Sequence, residues 1–220
     1  MAWQISANSN FMYSTWYGML DLDQAIMKYA PNNKYKSGFE NAGKQQHIGL
    51  FSGIVNAIQH GGDGLEQLRY IDLKNNKTQT LLTNAEVVHL QDVANLVNKF
   101  KYIGILGFAV AMIIFVFMCA KNITISKFKR HLYGGVGMVL LLSVAVFVVG
   151  PTKIFYLGHE LVFPNNHQWF FYYEESLMST MMKAPALFGP IAYQLLLLTV
   201  LFWMLLLYVL QQVQIKFKKV

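Results

Sequence analysis

TNAEVVHLQDVANLVNKFKYIGILGFAVAMIIFVFMCA, residues 83–120, is the stretch that decides the fold. It opens with a helix-capping box, in which Thr83 is the N-cap and Glu86 is the third helical residue. No helix breaker follows before Gly104, and the run from Tyr102 to Ala120 is apolar and uncharged. About 20 such residues cross a hydrocarbon core of about 30 Å. The stretch therefore predicts one helix that starts in a folded region and continues into a membrane span.

Two further windows have the length and composition of spans. They are Leu132–Val149 and Ile191–Leu210, and neither contains a charged residue. The whole chain is 55% hydrophobic and only 13% charged, whereas a soluble domain carries about 25% charged residues. We therefore expect a mostly α-helical, polytopic membrane protein, a bundle in which three spans are visible.

The charges predict the orientation of these spans. The chain has a net charge of +7, and the residues before Tyr102 are almost neutral, with nine cations against eight acids. Short loops rich in Lys and Arg stay in the cytoplasm. Such loops follow the first and the third window and contain Lys121, Lys127, Lys129, Arg130, Lys216, Lys218 and Lys219. Residues 1–101 and 150–190 are then extracytoplasmic, and no basic patch remains to bind a nucleic acid.

The region before the first span predicts a small α+β cap. Apolar residues recur at helical spacing over 41–60, ahead of a glycine-rich turn. Two short apolar runs, 70–73 and 78–82, flank polar residues as in a β-hairpin. We expect a cap and lead-in helix over 1–101, a transmembrane bundle with an outer loop (150–190) over 102–210, and a basic cytoplasmic tail over 211–220. Because such a cap usually crosses the membrane behind an earlier span, we also expect a first span upstream of Met1.

Two histidines lie beside the predicted spans and carry the functional hypothesis. His89 precedes the first span, with Asp92 three residues later on the same helix face, and His159 follows the second span, next to Glu160. In this topology both imidazoles lie on the outer side near the membrane surface, each with a carboxylate to orient it. His89 precedes Tyr102 by a helix length of about 20 Å, so the intervening apolar residues must pack into the cap or the headgroup zone. This pair predicts a membrane enzyme that transfers protons near a lipid ester.

Aromatic residues follow His159, and they leave other interpretations open. Phe163, Trp169 and Phe171 belong to a cluster that fits either a binding pocket or an ordinary interfacial belt. The alternatives are a non-enzymatic lipid- or lipoprotein-binding protein and a metal-dependent membrane hydrolase. A His-Glu-x-x-His zinc motif fails because residue 163 is Phe. No metal ligand set and no other cofactor is predicted, and the single cysteine, Cys119, lies within a span.

Three motifs resemble one family of bacterial membrane proteins, the lipoprotein intramolecular transacylases. They are AIQHGGDGL at 57–65, LTNAEVVHLQDV at 82–93 and HELVFPN at 159–165. The resemblance extends over roughly residues 45–210, and members have four spans and an extracellular cap. Later residues that follow the third motif are Trp169, Phe171, Leu177, Pro185 and Phe188.

The resemblance implies an activity in the bacterial cell (inner) membrane. A diacylated lipoprotein would be the substrate, and its sn-2 acyl chain would move to the α-amino group of its N-terminal cysteine, giving a lyso-form lipoprotein. No cofactor or acyl carrier would be consumed. We assign His89 as the base, oriented by Asp92, and His159 as the acid or oxyanion donor. Asn165 and Trp169 are expected to orient the lipid head.

Overall fold

The computed structural model describes residues 1–217, and three of its helices are long and apolar enough to cross a membrane. Within that range there are nine α-helices and one two-stranded sheet. In chain order the elements are α1 (Ala2–Asn8), α2 (Tyr13–Met19), α3 (Leu22–Tyr29), α4 (Gly43–Gln59), β1 (Arg69–Asp72), β2 (Lys77–Thr80), α5 (Asn84–Ala120), α6 (Phe128–Val149), α7 (Pro151–Val162), α8 (Leu177–Met182) and α9 (Phe188–Phe217). The predicted mostly α-helical membrane fold is confirmed.

The buried core lies in the part formed by α1–α4, the hairpin and α8. The ring of Tyr13 stacks on Phe51 of α4, with 4.1 Å between ring centroids, and its hydroxyl donates to the carbonyl of Met181 at 2.8 Å. That hydrogen bond ties the start of the chain to α8, far along the sequence. The amphipathic helix predicted over 41–60 is confirmed as α4, whose Leu50 and Ile54 are buried.

The predicted β-hairpin is also present. β1 and β2 are antiparallel, and Tyr70 is opposite Gln79. The Asp72 carboxylate stabilises the turn by accepting from the backbone amides of Lys74 and Asn75. The hairpin packs on the core through the fully buried Tyr70 ring.

One continuous helix, α5, connects this core to the first span, as the opening stretch of sequence predicts. Its capping box is complete: the Thr83 hydroxyl accepts from the Glu86 amide, and the Glu86 carboxylate accepts from the Thr83 amide. The helix then runs unbroken for 37 residues. Residues of its first four turns are therefore held in fixed register with the membrane-spanning part, 102–120.

The other spans are α6 and α9. Gly135 lets them approach each other, because a Cβ at this position would lie 2.7 Å from the Trp203 ring. Near the far end of α9, Gln214 accepts from the amide of Ile125 and donates to the carbonyl of Ile123, which fixes the loop between α5 and α6. The cations Lys218 and Lys219 of the predicted tail lie outside the described residues.

The segment 150–190, predicted as a loop, contains two helices. Gly150 ends α6 with φ of +92°, a conformation that favours glycine, and Pro151 begins α7 directly after it. α7 therefore turns back at the end of the span. Its position brings His159, on its last turn, towards α5.

Candidate active site

The first turn of α5 fixes the position of His89. Glu86, one turn earlier, is fully buried and accepts from the Ser176 hydroxyl at 2.5 Å, in addition to its capping bond. This contact joins the start of α5 to the N-cap of α8. His89 is itself buried, with 8% of its surface exposed. His89 thus lies on a helix whose first turn is fixed by the capping box and by the Glu86–Ser176 hydrogen bond.

α7 fixes His159 and its tautomer. The His159 Nδ1–H donates to the Phe155 carbonyl, one turn earlier, at 2.7 Å, and the two rings lie 4.1 Å apart. A carbonyl oxygen can only accept, so Nδ1 carries the proton and Nε2 keeps its lone pair. The basic nitrogen of His159 is therefore Nε2.

The two imidazoles face each other across an apolar cavity. Their ring centroids lie 6.0 Å apart, and Phe163 contacts both rings, with centroids at 4.9 Å from His89 and 5.2 Å from His159. Trp169 lies 5.1 Å from His159, and Phe171 lies 6.0 Å from His89. The cavity has a volume of about 520 Å³. Other apolar residues on its wall, from α4, α5 and α9, include Phe51, Val55, Val93, Leu96, Ile191 and Leu195.

Residues that follow His89 along α5 pack into this cavity. Val93 and Leu96 line it one and two turns after His89. Packing of Val93 and Leu96 thus meets part of the requirement that the distance from His89 to the span imposes, whereas Phe100, nearer the span, is exposed. The cavity continues from the histidines towards the membrane-spanning part of α5.

Burial keeps both histidines in the neutral form. Desolvation, then the neighbouring His159, lowers the pKa of His89 to about 4, although the Asp92 charge opposes this shift. Desolvation likewise lowers the pKa of His159, against the effect of its bond to the Phe155 carbonyl. At neutral pH the site therefore presents two uncharged imidazoles. His89 can offer one N–H and one lone pair, whereas the N–H of His159 is engaged by the Phe155 carbonyl, so this ring offers its Nε2 lone pair.

Neither Asp92 nor Glu160 makes the hydrogen bond to a cavity histidine that the sequence predicts. Asp92 accepts from Nδ1 of His167 at 2.6 Å, so the expected hydrogen bond to His89 is wrong, and only the charge of Asp92 acts on that ring. Glu160 is exposed, and among residues 1–217 no hydrogen bond joins its side chain to His159. The reason is geometric, because consecutive residues of a helix point about 100° apart. Neither carboxylate fixes the tautomer of a cavity histidine; a backbone carbonyl does so for His159.

The other predicted binding residues divide in two groups. Phe163, Trp169 and Phe171 line the cavity, whereas Asn165 is exposed and lies outside its wall. His167, whose Nδ1 bonds to the Asp92 carboxylate, is not among the site residues that the sequence predicts. The sequence gives little indication of this contact, since His167 and Asp92 are 75 residues apart. In the described part of the chain, no three side chains of His, Cys, Asp or Glu form a metal-binding group.

Fold and site together define a class: an integral membrane protein with a paired-imidazole cavity that is built for an apolar ligand. The family model for lipoprotein intramolecular transacylases (Lit) matches residues 65–185, which include both histidines and the α5 and α6 spans. The chain belongs to this family and is therefore a membrane acyltransferase. Comparisons with curated proteins and with solved structures give no significant match.

Proposed function

We propose that this protein moves the sn-2 acyl chain of a diacylated lipoprotein to the α-amino group of its N-terminal cysteine. The product is an N-acyl, lyso-form lipoprotein. The observation that carries this proposal is the pair of neutral imidazoles, with ring centroids 6.0 Å apart, on the wall of an apolar cavity. The lipoprotein substrate and the shift from the sn-2 ester to the amine are what the resemblance to this family implies, and the geometry suits that reaction.

His159 is the better base of the two, which reverses the roles expected from the sequence. Its Nδ1 proton is engaged by the Phe155 carbonyl, so Nε2 can accept a proton from the attacking amine. The amine nitrogen bonds to the ester carbonyl carbon and gives a tetrahedral intermediate, in which the bond from that carbon to the glyceryl C2 oxygen then breaks. His159 then returns the proton to this oxygen. An amide and a secondary alcohol result, and the enzyme is unchanged.

His89 serves as the hydrogen-bond donor that stabilises the negative oxygen in this scheme. Since its pKa is lowered to about 4, it is a neutral imidazole, whose N–H can donate to the negative oxygen of the tetrahedral intermediate. A neutral histidine in such a role avoids the cost of placing a full charge in an apolar cavity.

The cavity supplies orientation and excludes water. Donor and acceptor belong to one molecule, so correct positioning alone can supply on the order of 7–11 kcal/mol of the barrier. The rings of Phe163, Trp169 and Phe171 cover the imidazoles. Water held away from the ester cannot hydrolyse it, which favours transfer over release of a fatty acid.

The sidedness that the sequence predicts belongs to this proposal. Residues 1–101 and 150–190 would face the outside of the bacterial inner membrane, and the loop with Lys121 would face the cytoplasm. A cysteine placed at the exposed Asp63 should react with a membrane-impermeant maleimide on intact spheroplasts in a Cys119→Ser background. A cysteine at Lys121 should react only after the membrane is opened. Labelling in the reverse order would contradict this topology.

Mass spectrometry with isotope-labelled substrate tests the activity. The purified protein is given a mixture of two diacylated lipopeptides, one with a heavy peptide and a heavy sn-2 chain, the other unlabelled. We expect N-acyl, lyso-glyceryl products in which heavy chains occur only on heavy peptides. Free fatty acid would indicate a hydrolase, mixed labels would indicate transfer between molecules, and unchanged substrate would indicate a binding protein.

Replacing Asp92 with alanine should lower kcat/KM for this transfer roughly tenfold. The Asp92–His167 pair attaches the aromatic segment 163–171 to α5, and it is only partly exposed, at 17% and 34% of the two side chains. Without it, Trp169 and Phe171 are less well held over the histidines. The matched control is Asp63→Ala, an exposed position. The His167→Ala variant should show the same loss, and the double variant should lose no more than either single one; additive losses would contradict a shared role.

A further inference from the structure

A second apolar compartment lies beside the histidine cavity. It has a volume of about 670 Å³ and is formed by α6, α7 and the start of α9. Leu142 and Val146 contribute from α6, and Gly189 and Leu196 from α9. Because α6 and α9 are candidate membrane spans, this groove opens among helices that contact lipid hydrocarbon.

The groove and the histidine cavity share one wall. Five residues line both spaces: Ile154, Phe155, Pro185, Phe188 and Ala192. The centre of this wall is a stacked ring pair, Phe155 and Phe188, with centroids 5.5 Å apart and planes 23° from parallel. Phe155 is also the residue whose carbonyl fixes His159. The partition therefore lies directly beside the proposed base.

The chemistry of the substrate gives a reason for two compartments. A diacylglyceryl group has two acyl chains on neighbouring carbons, and only one of them is moved. If both chains entered one cavity, either ester could reach the imidazoles. A partition next to the base would separate them and admit one ester to the site.

We propose that the groove between α6, α7 and α9 binds the acyl chain that stays on the glyceryl group, while the histidine cavity binds the chain that is transferred. The proposal rests on the proposed function for the identity of the substrate. The groove has the apolar lining that an acyl chain needs, and the Phe155–Phe188 wall separates it from the site. Selection of the sn-2 ester then follows from where each chain lies.

Photocrosslinking of the wild-type protein tests this placement without any need for turnover. Two diacylated lipopeptides are used, with a diazirine either on the retained sn-1 chain or on the sn-2 chain. We expect the retained chain to label groove residues such as Leu142 and Leu196, and the sn-2 chain to label cavity residues such as Val93 and Leu96. Labelling of the same residues by both chains, or of none by the retained chain, would overturn the proposal.

A glycine substitution fills the groove selectively. A Cβ on Gly189 meets no atom within 4 Å, so Gly189→Phe can place its ring in the open groove. It should abolish labelling by the retained chain and raise KM about tenfold for a palmitoyl sn-1 chain, but not for a butanoyl one. Gly137→Phe is the matched control, since Gly137 on α6 is equally open and lines neither space. Equal effects of the two variants would contradict a specific site, and would indicate bulk lipid in the groove.

The two hypotheses fail in different ways. If the chains crosslink separately but no acyl group is transferred, the proposed reaction is wrong and the compartments stand. If acyl transfer proceeds while both chains label one compartment, the reaction stands and the compartments are wrong.

Discussion

Replacing His159 with alanine lowers the rate of acyl transfer by about 10²–10⁴-fold, the usual contribution of a general base. The expectation follows from the free Nε2 lone pair and from the position of the ring 6.0 Å from His89. The measurement is kcat with a diacylated lipopeptide, followed by mass spectrometry of the N-acylated product. Binding of the substrate, measured by crosslinking, should change little.

The partner variants separate the role of each imidazole. His89→Ala should lower kcat by about 10²–10³-fold, as for loss of an oxyanion donor. His89→Gln keeps an N–H donor and should recover part of this loss, whereas His159→Gln offers no comparable base and should recover none. His60→Ala, an exposed position outside the cavity, is the control and should be active. Recovery by His159→Gln but not by His89→Gln would contradict these assignments.

The pH dependence follows from the lowered pKa values. Below the ordinary histidine pKa of about 6.5, exposed imidazoles gain a proton. Here burial lowers the pKa of both His89 and His159, so each ring gains its proton at a lower pH than an exposed imidazole does. The rate on the acid side should therefore follow the substrate's own amine, whose ordinary pKa is about 8. A kcat/KM profile that is unchanged when the amine pKa is altered by substitution would contradict this.

Local patterns predicted most of the fold. The capping box at Thr83 and Glu86, the helix over 41–60 and the hairpin each depend on residues close together in sequence, and each is present. The three membrane spans are predicted just as directly, because a run of 18 or more apolar residues is typical of a transmembrane helix. The length of α5 followed from the same pattern, since nothing between its cap and Gly104 could end a helix.

The contacts around the histidines were less predictable. The partner of Asp92 depends on how the segment after α7 folds back over α5, and helix spacing alone favoured His89 over the distant His167. The tautomer of His159 depends on a backbone carbonyl, which exists at every position and gives no signal in a sequence. Glu160 could orient the His159 ring only if this part of 150–190 were a loop. In the helix α7 the two consecutive side chains point about 100° apart.

Glu86→Ala should produce the largest loss of stability, about 2–4 kcal/mol in the free energy of unfolding. The carboxylate is fully buried and accepts two hydrogen bonds of 2.5 Å, from the Thr83 amide and from the Ser176 hydroxyl. Alanine removes the Glu86 half of the capping box and leaves both donors without this acceptor, while the Thr83 hydroxyl can still accept from the backbone amide of residue 86. The midpoint of thermal unfolding in detergent measures the effect, and Glu66→Ala, an exposed position, serves as the control.

The second bond of Glu86 makes this prediction more specific than a lost helix cap. Ser176 is the N-cap of α8. The Glu86 carboxylate therefore contacts the start of two helices, α5, which contains His89, and α8, which packs in the core. Ser176→Ala alone should cost about 1–2 kcal/mol, and Glu86→Ala with Ser176→Ala should cost less than the sum of the two. Strictly additive losses would mean that Glu86 acts only within α5. We expect losses in the free energy of unfolding that are smaller together than their sum. If the capping box also sets the position of His89, the Glu86→Ala variant should in addition transfer acyl chains more slowly at a temperature where it is folded.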